Sequence, residues 1–179
     1  FAQVALAYPL RVIMTMLGMP EEDEPLMLRL TQQTLTSQDP EFEATTGSSS
    51  MGAMLEMYMY FQRMIADLRA NPRDTLGSII ANAKVHGDYL PEADVFGYFL
   101  IIATAGHDTT SYAITGGLLA LMQNPAEMAK LRADPSLMPT AVEEIIRWTT
   151  SVKHFCRTAT EDCTLEGAEI KAGDVLLLS

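Results

Sequence analysis

Six consecutive residues, Ala105-Gly106-His107-Asp108-Thr109-Thr110, hold the most chemically suggestive pattern in the sequence. An acid beside an alcohol can pass a proton into a water-poor pocket. A glycine lets a flat ligand approach the backbone. The same residues suit the middle of a helix poorly, because glycine is a weak helix former and threonine hydroxyls compete for backbone carbonyls. Local rules broken in this way tend to mark functional positions. Apolar residues on both flanks, Ile101, Ile102, Ile114, Leu118 and Leu119, predict that the segment is buried. A second feature is Glu144-Ile145-Ile146-Arg147. Residues three apart on a helix are neighbours, so these two charges can pair. An ordinary surface bridge explains that spacing equally well, as it would for Glu143 and Arg147.

The elements that must position these residues are mostly helices. Phe1 to Leu17 has helical apolar spacing and stops at Gly18. A second helix starts near Pro20 with four acids that suit a helix N-terminus, and fades near Leu35. Thr36 to Ser50 is polar, with Asp39-Pro40 and Gly47-Ser48-Ser49-Ser50, and is expected to be a loop. Met51 to Ala70 is a third helix whose methionine-rich face (Met51, Met54, Met57, Met59, Met64) is expected to fill core space. A short helix over Asp74 to Ala83 and a turn at Gly87-Asp88 precede the longest helix, Pro91 to Asn124. That helix would be about 50 Å long and carries the six-residue motif near its centre. Pro125 and Pro139 start two more helices, ending near Asp134-Pro135 and Thr150. Short strands follow at Phe155–Thr160, Cys163–Glu166, Ala168–Ile170 and Val175–Leu178, with turns at Gly167 and Ala172-Gly173-Asp174.

Composition narrows the classes of function. The chain has 179 residues, 48% hydrophobic and 20% charged, enough for one globular core. A net charge of −11 argues against nucleic acid as a partner. No apolar run approaches the roughly 20 residues that span a bilayer. No basic leader or initiator Met opens the chain, and that abrupt start suggests a fragment. Cys156 and Cys163 lack CxxC spacing, so reduced thiols are expected rather than a zinc site or disulfide.

In their order along the chain, these residues resemble the cytochrome P-450 family of haem-thiolate monooxygenases. The oxygen-binding helix of that family reads Ala/Gly-Gly-x-Asp/Glu-Thr-Thr/Ser, and residues 105–110 match every position. Glu144 and Arg147 follow after one short helix, where the family's ion pair buttresses the haem-ligand loop. Arg147-Trp148-Thr149-Thr150-Ser151-Val152 and Phe155-Cys156-Arg157 resemble the segment crossing the haem face, and Ile170-Lys171-Ala172-Gly173-Asp174-Val175 resembles a later hairpin. Tyr8-Pro9-Leu10, Val12-Ile13 and Leu17-Gly18-Met19-Pro20 resemble the entry to the helices roofing the pocket.

The resemblance covers essentially the whole chain. It implies a mainly α fold with a small β-rich C-terminal part, residues 1–179 being one partial domain from the centre of the P-450 fold. The cofactor implied is haem b. Asp108 and Thr109 are then the catalytic pair, the acid feeding protons inward and the hydroxyl donating toward dioxygen. Ala105, Gly106, Thr110 and Arg157 would contact haem, Arg157 through a propionate. Ile101, Ala105, Val152 and Phe155 would touch an apolar substrate, with terpenoids favoured and sterols or fatty acids as relatives. A ferredoxin-type electron donor with its reductase, and a cytoplasmic setting, complete the expectation. The iron ligand is expected beyond Ser179, since neither Cys156 nor Cys163 stands in the family's Phe-x-x-Gly context; residues 1–179 alone are therefore expected to be inactive.

Two rivals belong to other classes. His107-Asp108 is also the doublet of all-helical metal-dependent phosphohydrolases, and His86 and Asp134 would complete that site. A catalytically inactive binding module is the other. The scarcity of Lys and Arg to meet a phosphate weighs against the first.

Overall fold

The computed structural model describes residues 2–35 and 50–178. The expected loop over 36–49 lies outside them, and Ser50 opens a helix instead. The chain divides into two compact units, Phe1–Thr115 and Gly116–Ser179.

The first unit is helical. The expected helix from the N-terminus is two: α1 (Ala2–Ala5) and α2 (Ala7–Leu17), with Leu6 between them. Pro9 accounts for the break, because it lacks an N–H and its ring crowds the carbonyl four residues earlier. Pro9, Leu10, Ile13, Met14 and Leu17 form the buried stripe of α2. Gly18 ends the helix at φ 79°, where Met19 N–H reaches Met14 O at 2.8 Å. This left-handed stop needs no side chain at the turning residue. Helix α3 (Glu24–Leu35) buries Met27, Leu30 and Thr31. Helix α4 (Ser50–Ala70) buries Ala53, Met57, Phe61, Ile65 and Leu68. The methionine face is therefore core only at Met57; Met51 and Met59 are exposed, and Met54 and Met64 lie between. Tyr60 O–H donates to Asp23 Oδ2 at 2.6 Å, tying α4 to the 3₁₀ turn Glu21–Asp23. Burial and the neighbouring carboxylate push that phenol's pKa well above its ordinary value.

Helix α5 (Leu76–Ala81) is short and begins at a Thr75 cap, whose hydroxyl accepts the Ser78 N–H at 3.2 Å. Thr75→Ala is expected to cost about 1 kcal/mol, read as a lowered denaturant midpoint at constant slope. A two-residue hairpin, β1 (Lys84–Val85) with β2 (Asp88–Tyr89), turns through His86 and Gly87, both at positive φ.

Helix α6 (Glu92–Gln123) runs 32 residues without interruption. Val95, Phe99, Ala103, His107 and Ser111 are buried in it at strict intervals of four. Such an i,i+4 ridge runs obliquely across a helix, so it buries one slanting band and leaves the rest uncovered. The expected burial of the whole segment is therefore corrected. Ile101 is 59% exposed, Leu118 and Leu119 are exposed, and Ile102 and Ile114 are half-buried.

The second unit holds the end of α6, α7 (Pro125–Ala133), a 3₁₀ turn at Pro135–Leu137 and α8 (Met138–Thr149). A Cβ on Gly117 would lie 2.5 Å from Ile145 Cγ2, and one on Gly116 2.7 Å from Thr149 Cγ2. These two glycines let α8 close on α6. Strand β3 (Phe155–Thr158) pairs antiparallel with β6 (Val175–Leu178), Phe155 opposite Leu178. Strands β4 (Cys163–Leu165) and β5 (Ala168–Ile170) form a hairpin through Glu166 and Gly167, again both at positive φ. Asp162 accepts the Ala172 N–H at 2.9 Å and Lys171 Nζ at 3.1 Å, which lowers its pKa and anchors the adjoining turn. Among the described residues, the buried hydrophobic side chains lie between Ala5 and Ala103, within the first unit.

Candidate active site

The six-residue motif lies inside α6, in the first unit. At about 100° per residue, Ile101, Ala105, Asp108 and Tyr112 share one face, opposite the buried ridge. Ile101, Ala105 and Tyr112 are exposed there and Asp108 is partly exposed. A small residue, Ala105, keeps the middle of this apolar strip shallow. Thr109 borders it, and its Oγ1 donates to Ala105 O at 2.7 Å. The same back-bond recurs at Thr104 to Leu100 O, 2.8 Å, and Thr115 to Ser111 O, 2.7 Å. The hydroxyls follow the helix rather than breaking it.

Gly106 packs against another helix. A Cβ there would meet Ile13 Cδ1 at 2.9 Å, so the missing side chain makes room for α2. Thr110 is exposed and, five residues from Ala105, points about 140° away around the helix. The two do not present to one flat ligand from the same face.

His107, read in sequence only as half of a metal-binding doublet, is a core residue. Its ring is 0% exposed, with Nε2 2.8 Å from Leu6 O and Nδ1 3.3 Å from Asp108 Oδ1. The second contact is within ion-pair range, but Nδ1 makes no hydrogen bond in it. The signal available in sequence was its four-residue spacing from Ala103, Phe99 and Val95.

In the second unit Arg147 donates from Nε and Nη2 to Glu144 Oε2 and Oε1, both at 2.7 Å. The fork is bidentate, as arginine geometry allows. It is not buried here: the side chains are 66% and 57% exposed. Arginine's hydrogen bonds hold the Glu144 carboxyl below its ordinary pKa and raise that of Arg147. Because the folded pKa of Glu144 is depressed, the pair's contribution is present above the unfolded pKa and disappears as pH falls through the folded one. Arg147→Ala should move the Glu144 carboxyl-carbon titration upward, toward that of a free glutamate, while the unfolding midpoint of the unit barely changes. An apolar hollow of about 470 Å³, lined by Gly117, Ala120, Leu121, Ile145 and Trp148 among others, has Glu144 on its wall.

Val152, Phe155 and Arg157 are exposed in the same unit. Arg157 Nη1 donates to Cys156 O at 2.9 Å, and its guanidinium lies 5.9 Å from the Phe155 ring centre. Cys156 and Cys163 are free and exposed. Among the described residues, no group of three or more His, Cys, Asp or Glu is placed to hold a metal ion, and no helix is long and apolar enough to cross a membrane.

The family model described as Cytochrome P-450 matches residues 49–179. The chain belongs to the cytochrome P-450 family. Cytochrome P-450-terp of Pseudomonas sp is 41% identical over 98% of this chain and 43% of its own length. The methyl-branched lipid omega-hydroxylase of Mycobacterium bovis is 34% identical over 99% of this chain and 41% of its own. The crystal structure of CYP108D1 from Novosphingobium aromaticivorans superposes with a TM-score of 0.82 at 46% identity, covering 97% of this chain and 40% of that one. The chain thus spans about two fifths of the P-450 relatives it matches.

Membership implies haem b as the cofactor, and each unit taken by itself holds residues that suit a part of it. The shallow apolar strip of Ile101 and Ala105 suits a flat apolar ring system, with Asp108 and Thr109 at its edge. Exposed Arg157 suits a carboxylate. The phosphohydrolase alternative is not supported. His107 is buried with Nε2 engaged by Leu6, and Asp134 uses Oδ1 on Ser136 N and Oγ.

Proposed function

We propose that the full-length protein is a haem-dependent monooxygenase that inserts one oxygen atom from dioxygen into an apolar small molecule, and that residues 1–179 are part of its single catalytic domain. The observation that carries this is the acid–alcohol pair, Asp108 and Thr109, set at the edge of an uncovered apolar helix face. Haem supplies dioxygen activation when bound. The chain's own residues then have distinct tasks. Asp108, partly exposed, takes a proton from water and passes it inward. Thr109 Oγ1 receives it and directs the next transfer by turning from the Ala105 carbonyl. Ile101 and Ala105 offer an apolar surface beside that pair, and Val152 and Phe155 add apolar contact to substrate. Arg157 holds a propionate, and Glu144 with Arg147 braces the segment that carries the iron's thiolate, which comes from neither Cys156 nor Cys163.

Terpenoids are the favoured substrate class. Similarity to a cytochrome P-450-terp supports that choice, and similarity to a methyl-branched lipid omega-hydroxylase supports an apolar substrate more broadly. Electrons come from a ferredoxin-type donor and its reductase in the cytoplasm. The test is to titrate a monoterpene alcohol, a methyl-branched fatty acid and a sterol into the purified protein while following the haem absorption band. The monoterpene alcohol should saturate the change at the lowest concentration and give a product heavier by one oxygen. A protein that responds to none of the three would sink the substrate class.

A further inference from the structure

We propose that His107, through its hydrogen bond to Leu6, fixes the rotational setting of α6 and so holds Asp108 and Thr109 on its uncovered side. His107 is then a positioning residue. The inference rests on the proposed reading of Asp108 and Thr109 as proton carriers and names what keeps them in place. Apolar packing alone leaves the setting open. The buried ridge is Val95, Phe99, Ala103, His107 and Ser111. Two residues further on, Gly97, Ile101, Ala105, Thr109 and Ala113 form a parallel ridge that also carries no charge. Residues two apart lie on nearly opposite sides of a helix. Burying the second ridge would cover Ala105 and Thr109 and bring His107 to the surface.

The contacts along α6 differ in how firmly they choose between these settings. Phe99 meets Phe61 of α4 at 5.3 Å between ring centres. Aromatic pairs accept separations of about 4.5–7 Å, so this contact places α6 only loosely. At Gly106 the neighbour is the tip of the Ile13 side chain, which can swing aside. The hydrogen bond is stricter. His107 Nε2 lies 2.8 Å from Leu6 O, and a carbonyl only accepts, so Nε2 carries the hydrogen. Leu6 stands between α1 and α2, at the break attributed to Pro9. The ring is 0% exposed, so a turned helix would strand this donor in the interior or carry it into water. Hydrogen bonds are directional and an unpaired buried donor is costly, which is how one polar residue in an apolar seam selects a single register. The next two residues along the helix are Asp108 and Thr109.

The test is methyl NMR on the full-length protein labelled at the isoleucine Cδ1 positions, comparing wild type with His107→Leu and His107→Gln. Leucine keeps apolar bulk without a donor, whereas the glutamine amide can donate to Leu6. Wild type should give single signals for Ile13 and Ile101. In His107→Leu both should double or broaden as α6 samples more than one setting, and His107→Gln should restore single signals. A second arm measures product per reduced nicotinamide, expected to fall about tenfold in His107→Leu at nearly unchanged KM and to recover in His107→Gln. Single wild-type signals in His107→Leu would overturn the proposal, as would a wild-type ring whose nitrogen spectrum places the hydrogen on Nδ1 alone. The methyl arm needs no turnover, so the two readings fail separately: disturbed methyl signals with wild-type product yield would uphold the setting and count against Asp108 and Thr109 as proton carriers. Should His107→Leu fail to fold, His107→Gln decides, single signals upholding the proposal and doubled ones overturning it.

Discussion

Thr109→Ala in the full-length protein is expected to bind an apolar terpenoid-like substrate with nearly unchanged affinity while losing about tenfold or more of its hydroxylated product per reduced nicotinamide consumed. General acid–base contributions run at about 10²–10⁴-fold, so a tenfold loss is a modest demand on one hydroxyl. On the proposed reading, substrate is held by apolar contacts, with Thr109 at their border. Its hydroxyl donates to the Ala105 carbonyl of its own helix, and alanine is a better helix former, so the fold should survive the change. Electrons should continue to be consumed, but with more peroxide released, because protons are no longer directed. Asp108→Asn is expected to differ in kind, slowing the whole cycle by removing the acid proposed to supply those protons. The measurement is product against nicotinamide oxidised, with a substrate titration beside it. Unchanged coupling would remove Thr109 from the mechanism, and a large loss of affinity would make it a binding residue.

Gly77→Ala is expected to be the most destabilising single methyl in the first unit, costing about 3 kcal/mol or more. A Cβ there would lie 2.1 Å from the Leu17 carbonyl oxygen and 3.0 Å from its carbon. Both are backbone atoms, so no rotamer change relieves the clash. Helices α2 and α5 must separate, and Leu17 and Ala81, both at 0% exposure, lose their packing. Gly106→Ala is the control. Its Cβ meets the far end of the Ile13 side chain at 2.9 Å, which can swing aside, and a helix interior gains about 1 kcal/mol when alanine replaces glycine. Chemical denaturation of both variants should show a large fall in midpoint for the first and little for the second. Equal effects would mean that the α2–α5 contact is looser than its geometry indicates.

Helix ends were largely legible because they depend on single residues. Gly18, Pro91, Pro125 and Pro139 act through their own backbone chemistry, and the observed helices stop or start within two residues of them. Burial was less legible because it depends on neighbours far along the chain. Helix α6 is apolar nearly all round, so flanking isoleucines and leucines could not reveal which band is covered. The band that is covered ends in His107 and Ser111, polar residues that do not look like core. The β1–β2 hairpin reads in the sequence only as a turn, since two-residue strands are too short for alternation to register. Spacing alone predicted the Glu144–Arg147 pairing, while their exposure is a matter of surroundings that spacing does not contain. Gly106 illustrates the same limit. A glycine in a functional motif invites a ligand explanation, and here Ile13 supplies a packing one.

The central claim, that this chain belongs to a working haem-thiolate oxygenase, is tested most directly by the absorption spectrum of the full-length protein after reduction and exposure to carbon monoxide. The account predicts a band at the long wavelength characteristic of thiolate-ligated haem, and its persistence when both Cys156 and Cys163 are changed to serine. A band at the shorter wavelength of histidine-ligated haem, no haem at all, or loss of the thiolate band in the double serine variant would contradict it.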